Sequence, residues 1–387
     1  GPAPLTHRGV MVVGGVHGIC ALDAYNGRTL WIYDQKEYLR DFDGIHHDVA
    51  ATEVGNHFCI GDDSLFLRTE NKSIQLDLNT GKKIAEFETP TNKQDKDQAW
   101  GYLAYQNGLL FGSVSNQQHT VSPRYKLSKL YPESVKLFVY DVKTKKMKWE
   151  YSAQNSIRNN TIAVGTDAVY LVDRPIAMQD RITDPRRNGR PQEKLKPKQQ
   201  PSGQLMSMDT QTGKINWKKD QSIFGTQLSV SNQFGVILMT YLGQNHNFFT
   251  LPSEVGGRLA AFDSKTGDRL WDKEAEYKTR PLIIDSTIYT QRGAWNLYSG
   301  EKIPFKLDRS YGCGQLSASK HMMLFRSATL GYLDLTRDEG VENYGGIRLG
   351  CWINAIPAGG LVLIPDASAK CKCSYQMKAW FALQQKQ

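Results

Sequence analysis

Short polar segments rich in histidine, arginine, asparagine and tyrosine recur along the chain and carry the residue types best suited to chemistry. The clearest of them are DGIHHDV at 43–49, AWGYL at 99–103, NSIRNN at 155–160 and YKTRP at 277–281. Arginine and asparagine neutralise anionic groups, whereas histidine and tyrosine accept and donate protons. Carboxylates are rare in these segments apart from Asp43 and Asp48, which disfavours hydrolysis by a pair of acidic groups.

Two sets of candidate residues follow from these types. The candidates for proton transfer are His47, His119, Tyr102, Tyr125 and Tyr311. The candidates for contacts with a ligand are His46, Trp100, Arg158, Asn159, Asn160, Gln227, His246 and Arg280. Adjacent residues of a strand point to opposite sides, so His46 and His47 cannot together ligate one metal, and we predict no metal site. Ordinary packing or solvation of each histidine remains the alternative.

Composition and charge narrow the class of protein. Among the 387 residues, 40% are hydrophobic and 10% aromatic, which excludes a disordered chain, and no apolar run is long enough for a membrane span. The net charge of +9 favours acidic partners. Residues 174–200 carry eight basic and three acidic side chains with four prolines, and they form either a funnel for a polyanion or a solvated loop. This segment has no aromatic residue, which disfavours nucleic acid as a partner.

One short phrase recurs along the chain and organises it. The phrase is an apolar pair, Asp, a turn that often contains Thr-Gly, and then Trp or another aromatic residue. Its copies include ALDAYNGRTLW at 21–31, VYDVKTKKMKW at 139–149, SMDTQTGKINW at 207–217 and AFDSKTGDRLW at 261–271. Alternating apolar residues predict strands, and the Asp-Thr-Gly turn predicts a tight hairpin with Gly at positive φ. Two more strand-like runs before each copy give about four strands per unit.

Four short antiparallel strands repeating every 40 to 50 residues are typical of a β-propeller blade. We predict an all-β fold with one domain over residues 1–387, an eight-bladed β-propeller of four-stranded antiparallel blades, with seven blades as the alternative. Insertions are expected between the second and third strands of three blades, at 116–134, 173–202 and 243–256. In this topology the insertions and the starts of all innermost strands lie on one face, where we expect the site.

The phrase A-x-D-x-x-T-G-x-x-x-W resembles the repeat of pyrroloquinoline-quinone (PQQ) dehydrogenase propellers and of the outer-membrane assembly lipoprotein built on the same blade. The resemblance covers nearly the whole chain. The C-terminal segments YGCGQ at 311–315, FRSATLGYLDL at 325–335 and CKCSYQ at 371–376 also resemble PQQ-like repeat proteins of planctomycete bacteria. Because enzymes and scaffolds share this repeat, the resemblance implies the fold and leaves the function open.

The cysteines and the N-terminus are informative about the cellular compartment in which the protein is located. Cys313, Cys351, Cys371 and Cys373 lie in the last quarter of the chain, and two disulfides closing the propeller are our first interpretation. Reduced core thiols and a four-thiolate zinc site are the alternatives, and Cys20 and Cys59 are predicted to be buried free thiols. We expect a secreted or periplasmic protein whose signal peptide is absent from this sequence, and a lost upstream domain is left open.

Three functions are consistent with these patterns. The first is a carbohydrate-active enzyme that acts on acidic polysaccharide or another anionic ligand, most plausibly a lyase working by β-elimination at the rim of the central channel. There arginine would neutralise the uronate, and histidine and tyrosine would serve as base and acid. The second is a non-catalytic binding or scaffold propeller. The third is a PQQ-dependent dehydrogenase with calcium, which is disfavoured because its adjacent-cysteine pair is missing, so no cofactor is expected.

Overall fold

The computed structural model describes residues 4–15, 18–35, 57–90, 99–116, 133–177, 199–241, 256–277, 279–312, 315–337, 339–349, 355–364, 377 and 379–384. All regular structure within these ranges is β-strand, with no α-helix, as the alternating apolar pattern predicted. Within the same ranges, no helix is long and apolar enough to span a membrane.

The strands form antiparallel sheets in which consecutive strands are neighbours. The first blade is β1 (Leu5–His7), β2 (Val10–Gly15), β3 (Gly18–Asp23) and β4 (Thr29–Asp34). The second blade is β5 (Phe58–Gly61), β6 (Ser64–Arg68), β7 (Lys72–Asp77) and β8 (Lys83–Glu88). In both, the second and third strands are the most buried, and the fourth lies at the outer edge.

The third and fourth blades form one seven-stranded sheet because they share a single long strand. Its strands are β9 (Trp100–Gln106), β10 (Leu109–Ser115), β11 (Glu133–Asp141), β12 (Lys146–Val164), β13 (Ala168–Asp173), β14 (Gln204–Asp209) and β15 (Ile215–Lys219). The 19-residue β12 pairs with β11 as the outer strand of the third blade and with β13 as the inner strand of the fourth. The two blades are therefore continuous along their backbone.

The remaining strands complete the chain in the same order. The fifth blade is β16 (Gln227–Ser231), β17 (Val236–Tyr241), β18 (Arg258–Asp263) and β19 (Arg269–Glu274). The sixth is β20 (Leu282–Ile284), β21 (Thr287–Thr290), β22 (Gly293–Asn296) and β23 (Lys302–Ile303). The seventh is β24 (Ser317–Ala318), β25 (Met322–Ser327), β26 (Thr329–Asp334) and β27 (Val341–Tyr344). The last unit is β28 (Ile356–Ala358), β29 (Leu361–Ile364) and β30 (Phe381–Gln384).

Apolar clusters between neighbouring units hold these sheets in a ring. Leu65 and Ile74 of the second blade pack with Val12 and Trp31 of the first, and similar clusters join each later pair of units. The last unit returns to the first, because Leu363 packs with Met11, Leu22 and Ala24. The chain is an all-β propeller of antiparallel blades, as expected, and the number of blades and the division into one domain stay predictions.

The repeated phrase forms a contact between successive blades. Trp149 donates its indole N–H to the carbonyl of Thr210 in the turn of the next blade (2.8 Å), and Trp31, Trp217 and Trp271 make the equivalent bond. The ring lies against the turn glycine: a Cβ on Gly213 would stand 2.6 Å from the ring of Trp149, and φ of Gly213 is +71°. The aromatic residue thus packs on the next blade's turn, which explains why Gly and Trp recur together.

Candidate functional site

We use the name channel face for the side of the ring at which each innermost strand begins. The connections into these strands, and those between the second and third strands of each blade, open on this side, whereas the Asp-Thr-Gly turns lie on the opposite side. Long connections on the channel face separate β4 from β5, β10 from β11, β13 from β14, and β17 from β18. The last three are the places where the sequence predicted insertions.

A buried ionic network lies at the channel face where the third and fourth blades meet. The carboxylate of Glu133 accepts bonds from Arg174 (3.1 Å) and the Ser156 hydroxyl (3.0 Å), and Nε of Arg158 lies 3.5 Å from it. The side chains of Glu133 and Arg158 are 0% and 3% exposed. Buried charges are costly unless they are paired, so this network requires all its members. It joins the start of β11 to both inner strands of the fourth blade.

A second buried carboxylate, Asp173, shapes the middle of the long strand β12. It accepts bonds from the Tyr151 hydroxyl (2.8 Å) and from the backbone N–H groups of Gln154 (2.6 Å) and Asn155 (3.0 Å). These bonds satisfy backbone donors at the point where β12 passes from one blade into the next. Asp173 therefore fixes the backbone of β12 where it passes from one blade into the next, which is a structural role.

Asn159 also belongs to a closed set of hydrogen bonds between these two blades. Its side-chain oxygen accepts a bond from the Ser134 hydroxyl (2.6 Å), and Ser134 and Ser113 are 2.7 Å apart. Ser113 in turn accepts the backbone N–H of Tyr102 (2.6 Å). A Cβ on Gly101 would stand 2.6 Å from Ser113, so the inner strand β9 approaches this cluster closely. Asn159 is 5% exposed and faces the protein interior.

Other predicted ligand contacts are placed within the core. Trp100 is 1% exposed, packs edge-on against Phe138, and donates its indole N–H to the carbonyl of Tyr102. Gln227 is 4% exposed and accepts a bond from the Thr240 hydroxyl (3.3 Å). Asn160 is half-buried. The structure brings Arg158 and Asn159 together at the junction of the third and fourth blades, whereas Trp100 packs between the second and third. The role of these residues as ligand contacts stays a prediction.

Tyr102 and Arg280 belong to different blades and are linked by an electrostatic effect. Tyr102 lies on β9 of the third blade, and Arg280 precedes β20 of the sixth. The positive charge of Arg280 acts to lower the pKa of Tyr102, although burial, the larger cause, raises that pKa overall.

Arg280 is exposed to solvent, and its guanidinium is nevertheless partly desolvated by the surrounding protein. The desolvation lowers the pKa of Arg280, and the two observations together fit a guanidinium in a recess walled by protein. No carboxylate in the described part of the chain forms an ion pair with it. Its backbone N–H donates to the side-chain oxygen of Gln315 (3.0 Å), which ties the connection before β20 to the one before β24.

Tyr311 lies on the same connection as Gln315 and is an exposed member of the predicted set. Its side chain is 68% exposed, and the guanidinium of Arg326 lies 5.4 Å from the centre of its ring. The backbone N–H of Ala328 donates to the carbonyl of Tyr311 (2.5 Å), and Ser310 donates its N–H to the Ser327 hydroxyl (3.0 Å). The segment is thus fixed to the β25–β26 hairpin while the ring of Tyr311 stays accessible.

Several predicted residues lie outside the described ranges. These are His46, His47, His119, Tyr125, His246, Cys313, Cys351, Cys371 and Cys373. Their proposed roles, including the disulfides, stay predictions. Cys20 and Cys59 are free thiols, as expected, and both are half-buried. Burial raises the pKa of each.

The sequence reasoning did not single out the carboxylates Glu133 and Asp173, nor the pair formed by His57 and Arg68. Arg68 lies 3.1 Å from Nδ1 of His57 and donates to the carbonyl of Gly101 (2.6 Å). Burial and then the charge of Arg68 hold the pKa of His57 well below its ordinary value. A charged residue at the end of an apolar run, as in SLFLR (64–68) and AVYLVD (168–173), was the available signal.

The described side chains do not fit a PQQ and calcium site. No group of three His, Cys, Asp or Glu side chains in the described ranges could hold a metal ion. Glu133 and Asp173, the buried carboxylates of this face, are already bonded to protein donors. Calcium requires several oxygen ligands converging on one point, and these two residues are engaged in separate networks.

Comparisons with known proteins agree with the architecture. The family model for outer membrane protein assembly factor BamB matches residues 130–298. BamB from Moraxella catarrhalis matches with a TM-score of 0.55 and 14% sequence identity over 97% of this chain and 95% of that chain. A europium-containing methanol dehydrogenase has a TM-score of 0.41 and 12% identity over 85% of this chain and 81% of that chain. Quinohemoprotein alcohol dehydrogenase ADHIIG from Pseudomonas putida HK5 has a TM-score of 0.42 and 13% identity over 94% and 51%.

These matches, with the blades and their Trp-Gly contacts, define the class of fold: the chain is an all-β propeller similar to the propellers built from PQQ-like repeats. Its fold is similar to that of BamB over nearly the whole length. No curated protein matches its sequence. At these identities the likeness shows the fold, and function has to be argued from the site. The finer resemblance to planctomycete proteins stays a prediction.

Proposed function

We propose that this chain is a non-catalytic binding propeller whose channel face docks an anionic partner. The observation that carries this proposal is the placement of Arg158 and Asn159, the residues expected to neutralise a substrate acid. Both are almost fully buried, and they are bonded to Glu133 and Ser134 within the protein. A group must reach a ligand to neutralise it, and these two groups are committed to holding blades together.

The other described residues of this face support the same proposal. Trp100 and Gln227 are buried in the core, and the carboxylates of Glu133 and Asp173 accept bonds from donors of the protein. Buried hydrogen bonds of this kind rigidify a structure and specify its packing. A rigid ring of this kind suits a docking surface better than a set of proton-transfer groups that must change partners during a reaction.

The likeness to BamB supports a role in the cell envelope. The matching family is described as outer membrane protein assembly factor BamB. We extend to this chain a secreted or periplasmic location and the binding of partners. The net charge of +9 adds a reason for the partner to be acidic.

A polysaccharide lyase is the second candidate, and one observation favours it. The charge of Arg280 acts on the pKa of Tyr102, and the two residues are an acid and a neutraliser of the types that β-elimination uses. In that case His47, His119 or Tyr125 would supply the base, and Tyr311 would be a further acid.

The experiment that separates the two is an assay for elimination. Purified protein is incubated with polygalacturonate, alginate and heparin, and unsaturated product is followed by ultraviolet absorbance. We expect no increase above a heat-inactivated sample. An increase that Tyr102→Phe abolishes, while the thermal midpoint of that variant stays unchanged, would overturn the proposal and establish the lyase.

A further inference from the structure

The last unit of the ring exposes the edge of its third strand. In the other blades a fourth strand pairs with the third, and the third strands β7, β14 and β18 are each buried at four consecutive positions. The third strand of the last unit, β30, instead alternates between half-buried and exposed residues, and its pairing partner among the described residues is β29 alone. The described backbone of β30 therefore presents an edge to which another strand can bond.

The turn between the third and fourth strands of the first blade is open in a matching way. In the second, fourth, fifth and sixth blades, the glycine of this turn lies against a tryptophan of the preceding blade. A Cβ would stand 2.5 or 2.6 Å from the indole ring at each of these glycines, which are Gly81, Gly213, Gly267 and Gly300. The equivalent glycine of the first blade, Gly27, has the same positive φ (+74°), but a Cβ there would have no described atom within 4 Å.

The hydrogen bond that accompanies this packing is open in the first blade as well. In the filled turns, the indole N–H donates at 2.8 to 3.1 Å to the carbonyl of the residue three positions before the glycine, namely Leu78, Thr210, Ser264 and Leu297. The equivalent residue of the first blade is Ala24. Its N–H donates to the carbonyl of Gly9 (2.8 Å), and no donor among the described residues bonds its own carbonyl. We call Ala24 and Gly27 the open tryptophan seat.

Packing between the last unit and the first blade places this seat next to the open edge. Leu363 of β29, the strand that pairs with β30, packs with Leu22 and Ala24. A Cβ on Gly359 of the last unit would stand 3.1 Å from the hydroxyl of Tyr25, which lies in the same turn as Ala24. The last unit is therefore the neighbour that precedes the first blade, and at the filled seats it is the fourth strand of this neighbour that supplies the tryptophan.

From these features we infer a docking site for a partner polypeptide, in which an extended segment pairs with β30 as a fourth strand and places a tryptophan on the open tryptophan seat. The chemistry of the occupant follows from the four filled seats, since each of them holds the indole ring of a fourth strand. Backbone bonds to β30 supply affinity, and the seat selects for tryptophan, as when a peptide adds a strand to the edge of a sheet. The seat lies on the side opposite the channel face, so this site is independent of the anionic docking proposed above.

The test is fluorescence anisotropy with a labelled peptide that has the sequence of residues 268–275 (DRLWDKEA), which includes β19 and its tryptophan. We expect this peptide to bind the full chain with a Kd below about 100 μM, and its Trp271→Ala version to bind about 10-fold more weakly or worse, because a buried tryptophan dominates binding.

Two variants of the full chain test the position of the peptide. Gly27→Asn places a side chain on the seat, and asparagine tolerates a positive φ, so we expect binding to weaken by about 10-fold or more. Gly108→Asn is the matched control, because Gly108 has a φ of +77°, equally open surroundings and a place in a turn of the third blade. Amide hydrogen exchange adds a second measurement: the bound peptide should slow exchange in residues 379–384, which include β30.

The outcomes are separable once thermal midpoints show that both variants are folded. Weaker binding with Trp271→Ala in the peptide and Gly27→Asn in the chain, with Gly108→Asn unchanged and β30 protected, supports the site. Absence of binding, or equal weakening by Gly27→Asn and Gly108→Asn, overturns it. A stable dimer in light scattering, with the amides of β30 already protected before peptide is added, would assign the edge to a second copy of this chain and would overturn the assignment to a partner.

Discussion

Replacement of Glu133 by glutamine tests the buried network that joins the third and fourth blades. Glutamine keeps the size of the side chain but removes its charge and replaces one acceptor with a donor. Arg174 and Ser156 donate to the carboxylate of Glu133 at 3.1 and 3.0 Å, and Arg158 lies 3.5 Å away. The substitution therefore leaves buried guanidinium groups without their counter-charge.

The expected loss follows from the burial of this network. Removing one partner of a buried ion pair costs about 3 to 5 kcal/mol, because the other charge remains in the protein interior. The matched control is Glu150→Gln, since Glu150 pairs with Lys136 at 2.8 Å across the same two strands but is partly exposed. Exposed pairs contribute about 0 to 1 kcal/mol.

The assay is equilibrium unfolding in urea, followed by tryptophan fluorescence and circular dichroism at neutral pH. We expect the Glu133→Gln midpoint to fall clearly below that of Glu150→Gln, which itself should stay close to the wild type. Equal midpoints for the two variants would refute the reasoning, because they would show that the carboxylate of Glu133 contributes no more than a surface group.

Three further predictions concern the repeat and the thiols. Trp149→Phe removes the indole N–H that bonds Thr210, and we expect a loss of about 1 to 3 kcal/mol in urea unfolding; a loss below about 0.5 kcal/mol would contradict the proposed contact between blades. The Thr212 hydroxyl lowers the pKa of Asp209 in the folded protein. The contribution of this turn to stability is therefore complete when the pH is above the pKa of Asp in the unfolded chain, about 3.9, and it is lost as the pH falls through the lower pKa of the folded protein. The thermal midpoint of Asp209→Asn should therefore fall less than that of the wild type on acidification, and an identical fall would contradict the assignment. Burial raises the pKa of the Cys59 thiol, so alkylation of Cys59 by iodoacetamide, followed by peptide mass spectrometry, should be slow in the folded protein and rapid in urea; rapid alkylation of the folded protein would refute this.

The repeat made the fold predictable because its residues act locally. Asp209 and Thr212 bond within one turn, and Gly213 takes the positive φ that the turn requires. The role of Trp149 was only partly predictable, since its partner is in the next blade and the phrase alone shows no contact between blades. The seven-stranded sheet was unexpected, because nothing in the sequence marks β12 as continuous through two blades.

The candidate site was less predictable because its contacts join distant parts of the chain. Placing Arg158 at the start of an inner strand was sufficient to locate it on the channel face, but its burial depends on Glu133, which the sequence pattern assigned to an insertion. The effect of the Arg280 charge on the pKa of Tyr102 links residues of the third and sixth blades, which lie far apart in the sequence. Residue types suggested an anionic ligand, whereas only the structure distinguishes accessible arginines from buried ones.

The central claim is that the channel face binds an anionic partner, for which an acidic saccharide serves as the probe, and does not cleave it. The most direct measurement uses protein in excess over fluorescently labelled tetragalacturonate, with the bound fraction measured by equilibrium dialysis and the recovered saccharide analysed by mass spectrometry. The account predicts a large bound fraction that decreases with Arg280→Gln, and recovery of the intact tetramer after long incubation. Shortened saccharide with an unsaturated end, or no bound fraction at all, would contradict it.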